Sequence, residues 1–241
     1  MQEEEIKMQQ LTTARPKTEV LVNDFVRSVY NWMGIGLALT AFVAFYVSSS
    51  ESMTRFIFGN RMVFFMLILG ELGLVFAISG MINKISAGTA TFLFVLYSGL
   101  NGLTLSFIFL AYTRTSIAST FFVCAATFIG CSIYGWTTKK NLTSWGGFLF
   151  MGLIGIIIAS VVNMFLHSNG MSLIISYIGV IVFVGLTAYD TQKLKNMALS
   201  QPAGLDGSVV RKGAILGALS LYLDFINLFL MLLRIFGSAR D

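Results

Sequence analysis

Charge is what this sequence has least of. Acidic and basic residues together make up 11% of its 241 residues, against about 25% in a soluble domain, while 56% are hydrophobic. A soluble core of that size would need far more charged surface, so the composition describes a one-domain integral membrane protein. Proline is almost missing too. Pro16 and Pro202 both lie outside the long apolar runs, so no spanning helix should carry a proline kink. The single histidine, His167, sits at a loop edge, and no HExxH is present, which argues against a zinc hydrolase and against a histidine base for a buried serine. Cys124 and Cys131 are seven residues apart on one predicted helix, about 10 Å by helical rise and too far for a disulfide. They read as small packing residues. The first 28 residues are polar, with no apolar core for a cleaved signal peptide, so the first apolar helix is expected to act as an uncleaved signal.

What is abundant is apolar length. Crossing about 30 Å of hydrocarbon takes about 20 residues, and seven windows meet that need: 29–48, 62–83, 88–111, 116–137, 147–167, 172–192 and 213–236. The predicted fold is an all-α bundle of seven transmembrane helices, residues 29–237, behind a polar tail of residues 1–28. The net charge of +5 does not imply nucleic acid, because the basic residues sit in short loops. With the N-terminus in the cytoplasm, eleven of them fall on the inner side, among them Lys84, Lys139, Lys140, Lys193 and Lys195. Five fall outside: Arg55, Arg61, Arg114, Arg234 and Arg240. That bias favours an N-in, C-out arrangement, with a re-entrant last segment as the alternative. The stretch 193–212, holding Pro202, Gly204 and Gly207, reads as the longest and most flexible inner loop. Glycines inside the windows, including the Gly213–Gly217 pair, point to close helix contacts.

Only three acids fall within the windows: Glu71, Asp190 and Asp224. An ionised carboxylate at mid-membrane costs roughly 2.5–3.5 kcal/mol even on the lenient insertion scale, so each is a functional candidate, although Glu71, beside Gly70 and Gly73, equally admits a plain reading as a neutral packing acid. Asp224 lies near the middle of the last window, on a small, polar face shared with Gly213, Gly217, Ser220 and Asn227. No basic residue lies deep in a window to pair with it. Asp190, near the inner end of the sixth window, also admits a plain reading as a helix-end carboxylate beside Lys193 and Lys195. Taken together, Asp190 and Asp224 stand on consecutive antiparallel helices. Two carboxylates sharing a site do not readily both ionise; they titrate as a unit, and when deprotonated they offer hard oxygen ligands of the kind Ca²⁺ takes. Counted from the window ends, the two differ in depth by about 10 Å, which a tilt or a longer sixth helix would close.

Three runs carry a family resemblance: Tyr97-Ser-Gly-Leu-Asn-Gly-Leu-Thr-Leu-Ser106, Thr187-Ala-Tyr-Asp-Thr-Gln-Lys-Leu194 and, most specific, Leu221-Tyr-Leu-Asp-Phe-Ile-Asn-Leu-Phe229. From about Tyr30 to Gly237 the chain resembles the Bax inhibitor-1 family, the transmembrane Bax-inhibitor-motif proteins, and looks like a bacterial inner-membrane member. The resemblance implies a seven-helix bundle with the last helix central and the function of a pH-sensitive Ca²⁺ leak. The family's paired aspartates match Asp190 and Asp224 as pH sensor and Ca²⁺ ligands, and its helix-two acid matches Glu71. Asn101 and Asn227 join Glu71 as possible pore or proton-site residues. Some relatives carry a basic latch about eleven residues after that acid. Here that place is Ile82, and the nearest base, Lys84, is the possible latch.

The implied protein is no enzyme and holds no tight cofactor; its partners are the bilayer, protons and Ca²⁺, bound or permeant. A second reading, also from the resemblance, is a regulator that binds an ATP-dependent membrane protease through the polar tail. A third, an intramembrane aspartyl protease, fits the placing of two aspartates on the last two helices. It fails locally, because Leu-Tyr-Leu precedes Asp224 where Gly-x-Gly is expected and no Pro-Ala-Leu follows.

Overall fold

The computed structural model describes residues 2–200 and 205–240, with side chains from Val22 onward. The described residues form nine helices: α1 (Gln2–Ser48), α2 (Glu51–Phe58), α3 (Arg61–Met81), α4 (Ala87–Leu105), α5 (Ile108–Ala111), α6 (Arg114–Thr137), α7 (Thr143–Leu166), α8 (Asn169–Leu199) and α9 (Gly207–Phe236). Seven segments are long and apolar enough to cross a membrane, and they fall on the seven predicted windows. The third runs from Ala87 to Ala111 through α4 and α5. Short polar caps separate the crossings: Asn60, Ser86, Thr113, Ser168 and Asp206 each accept a hydrogen bond from a first-turn amide, supplying partners that a helix start otherwise lacks.

Two boundaries differ from the sequence reading. The buried face of the first crossing reaches back at least to Val22, ahead of residue 29: Val22, Phe25 and Val29 are buried against the bundle while Asn23, Asp24 and Arg27 face outward. That amphipathic turn is apolar on one side only, so its average polarity hid it. The expected loop 193–212 is mostly helix: α8 runs on to Leu199 and α9 starts at Gly207. The flexibility expected of residues 201–204, Pro202 and Gly204 included, concerns positions outside the described residues. So does the expected role of the tail as a partner handle, since no side chain before Val22 is described.

The last helix is the core. α9 packs on α8, α1, α6, α4 and α3, and Ala214, Ile215, Ala218, Leu221, Tyr222 and Leu228 along it are fully buried. α3 and α7 are peripheral, with most of their apolar side chains facing outward, as suits contact with lipid. At the α1–α4 crossing Gly102 faces the backbone of Thr40; a Cβ there would stand 2.8 Å from Thr40 O and 2.7 Å from Val43 Cβ. Glycine is what lets these two backbones touch. After α9, Ser238 and Arg240 pair with the α5–α6 connection, Thr113 N donating to Ser238 O (3.1 Å) and Arg240 N to Ala111 O (3.0 Å). The C-terminal end therefore lies beside the third-to-fourth crossing, which makes α9 a full crossing rather than a re-entrant segment.

Candidate functional site

One cavity of about 680 Å³ lies beside α9, walled by α3, α4, α7 and α8. Glu71, Asn101, Asp190, Asp224 and Asn227 all line it, with Tyr97, Lys193 and Ser220 among its other polar residues. Five of the six side chains singled out in the sequence thus share one space. The sixth, Lys84, does not reach it: it is exposed in the turn after α3 and makes no ion pair among the described residues.

The register of α8 on α9 sets how far apart the two aspartates stand. Gly179 abuts Met231 at one end of the pair, and Gly217 abuts Leu194 at the other. Between those fixed points, Asp190 falls opposite Ser220 and Leu221, and Asp224 opposite Leu186 and Thr187. The offset is four residues, about one helical turn or 6 Å. The depth mismatch of about 10 Å expected from window ends was too large because those ends are not level: α8 runs on past residue 192, and Gly213 of α9 stands against Met197. The polar face predicted on α9 divides by position. Gly213 and Gly217 serve packing, against Phe25, Val29 and Leu194, while Ser220, Asp224 and Asn227 line the cavity.

Asp224 is buried, and its Oδ2 has no hydrogen-bond partner among the described residues. Buried polar atoms are paired in the great majority of cases, so this one is poised for a proton, a water or a cation. Asp190 is half-buried and Lys193, one turn further along α8, is exposed. Lys193 is the basic lining residue, standing at the rim rather than in a salt bridge. The three acids share the cavity without converging: among the described residues no three His, Cys, Asp or Glu side chains are placed to hold one metal ion.

Glu71 is held by neighbours on α4. Its Oε1 accepts from Thr104 Oγ1 (2.9 Å) and its Oε2 from Asn101 Nδ2 (3.2 Å). Asn101 Oδ1 accepts from Tyr222 OH (3.1 Å), which lies 2.6 Å from Thr40 Oγ1, and Thr40 donates to Ser98 O (2.8 Å). A hydrogen-bonded chain thus ties the acid on α3 to α4, α9 and α1. Thr40 and Tyr222 offer two hydroxyl protons for three contacts, so the chain has two proton arrangements: either Tyr222 donates to Asn101 and Thr40 to Tyr222, or Tyr222 donates to Thr40 and Thr40 to Ser98 O. Asn227 donates one of its two amide hydrogens to Leu223 O (2.8 Å), which leaves its oxygen available as an acceptor. Tyr222, Thr40 and Thr104 were not singled out from sequence. Tyr222 and Thr104 stand inside the resemblance-bearing runs, which was the available signal; Thr40 is one threonine in an apolar window, and nothing local distinguishes it.

The comparisons with known proteins agree with this architecture. Residues 22–241 match the family model described as inhibitor of apoptosis-promoting Bax1. The inner membrane protein YbhL of Escherichia coli strain K12 is 57% identical over 216 residues, covering 90% of this chain and 92% of that protein. A protein of Borreliella burgdorferi is 49% identical over 226 residues, 93% of this chain and 97% of its own, and one of Deinococcus radiodurans is 43% identical over 234 residues, 97% and 98%. With seven crossings around a buried last helix and a match over all but its first residues, the chain belongs to the Bax inhibitor family, as a multi-pass inner-membrane protein.

Proposed function

We propose that this protein is a passive, proton-sensitive Ca²⁺ leak in which the cavity beside α9 is the ion's resting place. The observation that carries this reading is the placing of Glu71, Asp190 and Asp224 around one cavity, with Asp224 Oδ2 unpartnered. Ca²⁺ takes 6–8 oxygen ligands and accepts water and amide oxygens among them. The cavity offers carboxylates, the Asn101 and Asn227 amides and room for water. Acids that share a space without converging suit an ion that must leave again. Each proton taken up by the aspartate pair removes ligand charge and supplies a hydroxyl donor, so low pH weakens cation binding and favours hydrogen bonds across the cavity instead. α3 and α7 flank the cavity without extensive packing on each other among the described residues, which gives the walls freedom to part.

The test is Ca²⁺ flux into liposomes at two pH values, for the full chain and for Asp224→Asn. The variant should lose the pH response and most of the flux. Equal pH-dependent flux in both proteins would sink the proposal.

A further inference from the structure

On the opposite flank of α9 the bundle is split. Among the described residues α1 and α6 make no extensive contact along their length, and their facing stripes leave two cavities of about 470 and 500 Å³, end to end, with Phe225 of α9 in the floor of both. The second reaches the end of the bundle where α5 meets α6. Its walls are apolar, and the alanines Ala41 and Ala118, one on each side, keep it open. A volume of this size fits a single small ligand, whereas a transmembrane helix is 10–12 Å across and would have to force α1 and α6 apart.

Two guanidinium groups stand at its mouth. Arg114 lines the cavity and is held over the Phe45 ring at 5.5 Å. Arg240 donates through Nη1 to the backbone oxygen of Phe109, a wall residue, at 3.1 Å. Neither meets a carboxylate among the described residues, where the sole ion pair is Arg55 with Glu51. Guanidinium recognises phosphate with paired donors, and the groove beneath these two is apolar and opens towards the surrounding hydrocarbon. We propose that this groove binds an anionic phospholipid, one acyl chain lying over Phe225 between α1 and α6 and the headgroup phosphate held by Arg114 and Arg240.

The experiment is native mass spectrometry of the full chain released from nanodiscs of equal phosphatidylglycerol and phosphatidylethanolamine. The unmodified protein should carry one phosphatidylglycerol in preference to phosphatidylethanolamine. Arg114→Gln and Arg240→Gln should each lower the retained fraction roughly fivefold, the worth of one basic residue at an anionic lipid surface. Ala41→Phe fills the groove from an exposed position and should abolish retention while leaving the thermal unfolding midpoint unchanged; Ala118→Leu, a smaller plug, should lower it. Retention by the double arginine variant equal to that of the unmodified protein would overturn the proposal. So would full retention by both plugged variants. A dimer that Ala41→Phe converts to monomer would also overturn it, by showing that a second copy of the chain fills the groove.

Discussion

Replacing Tyr222 by phenylalanine removes one oxygen atom from a point where three helices meet. The ring stays, packed edge-on against Phe94 and Tyr97 at centroid distances of 5.9 and 5.6 Å, so no cavity opens and the lost energy is that of hydrogen bonding. The hydroxyl touches Thr40 Oγ1 at 2.6 Å and Asn101 Oδ1 at 3.1 Å. Without it, Thr40 keeps its bond to Ser98 O, but Asn101 Oδ1 loses its donor. A net hydrogen bond is worth about 0.5–1.5 kcal/mol, and an unsatisfied buried acceptor adds about 1–3. Pairs measured inside membranes average about 0.6 kcal/mol and reach about 1.7. Asn101 lines the cavity, where water can replace part of the loss, so Tyr222→Phe should destabilise by about 1–2 kcal/mol. The assay is reversible unfolding of the full chain in bicelles, run as a double-mutant cycle with Thr40→Val, which keeps the shape of the side chain and removes its hydroxyl. The double variant should cost less than the two singles combined, by about 0.6–1.7 kcal/mol, because the Thr40–Tyr222 hydrogen bond is lost in either single and can be lost only once. Additivity within about 0.3–0.5 kcal/mol would refute the chain as an energetic unit.

Three further outcomes follow from the same geometry. Gly102→Ala should destabilise by about 1–3 kcal/mol, the range for overpacking, because its Cβ meets the backbone of α1; Gly99→Ala, three residues away with nothing within 4 Å, should be neutral or slightly stabilising in the same unfolding assay. Lys193→Gln removes the cation at the cavity rim and should tighten Ca²⁺ binding up to roughly fivefold, the scale of an exposed charge pair, as read by calcium titration; unchanged or weaker binding would contradict the placement. At the start of α9, hydrogen bonds from Ser208, its backbone amide first, together with Lys212 nearby hold the Asp206 carboxyl below the ordinary carboxylate range. A folded value below the unfolded one means the cap's contribution is complete above the ordinary Asp value of about 3.9 and disappears as pH falls through the lower folded value. Amide exchange protection at Ser208 should therefore fall in acid for the natural chain and be already low, with no such acid step, in Asp206→Ala.

The crossings were legible because lipid enforces them. A segment of about 20 apolar residues has one stable answer in hydrocarbon, the helix, so the windows and α-helices coincide to within a few residues at most ends. The exceptions share a cause. Residues 22–28, 193–199 and 207–212 flank the apolar windows, and there a helix can keep one face apolar and the other charged, as Val22, Phe25 and Val29 do against Asn23, Asp24 and Arg27. Average hydropathy is blind to that arrangement, and only the 3.6-residue period reveals it.

The acids of the site were legible for a related reason, and their partners were not. A carboxylate inside an apolar window contradicts its surroundings, so Glu71, Asp190 and Asp224 announce themselves one by one; the cost that makes them rare also makes them visible. Hydroxyls do not. A serine or threonine in a membrane helix can satisfy itself on the preceding turn, as Thr91 and Thr187 do here with Ala87 O and Phe183 O. Nothing in the sequence separates Thr40, which reaches across to α4 and α9, from those that turn inward. The distinction is made by the crossing at Gly102, which brings the backbone of α1 against α4 and so puts Thr40 within reach of Ser98 O and Tyr222. A glycine that appears only to permit packing therefore also decides which hydroxyl joins the chain from Glu71. The cavity's acids and the α1–α4 contact are then one system, and a variant that parts the two helices should disturb Glu71 without touching it.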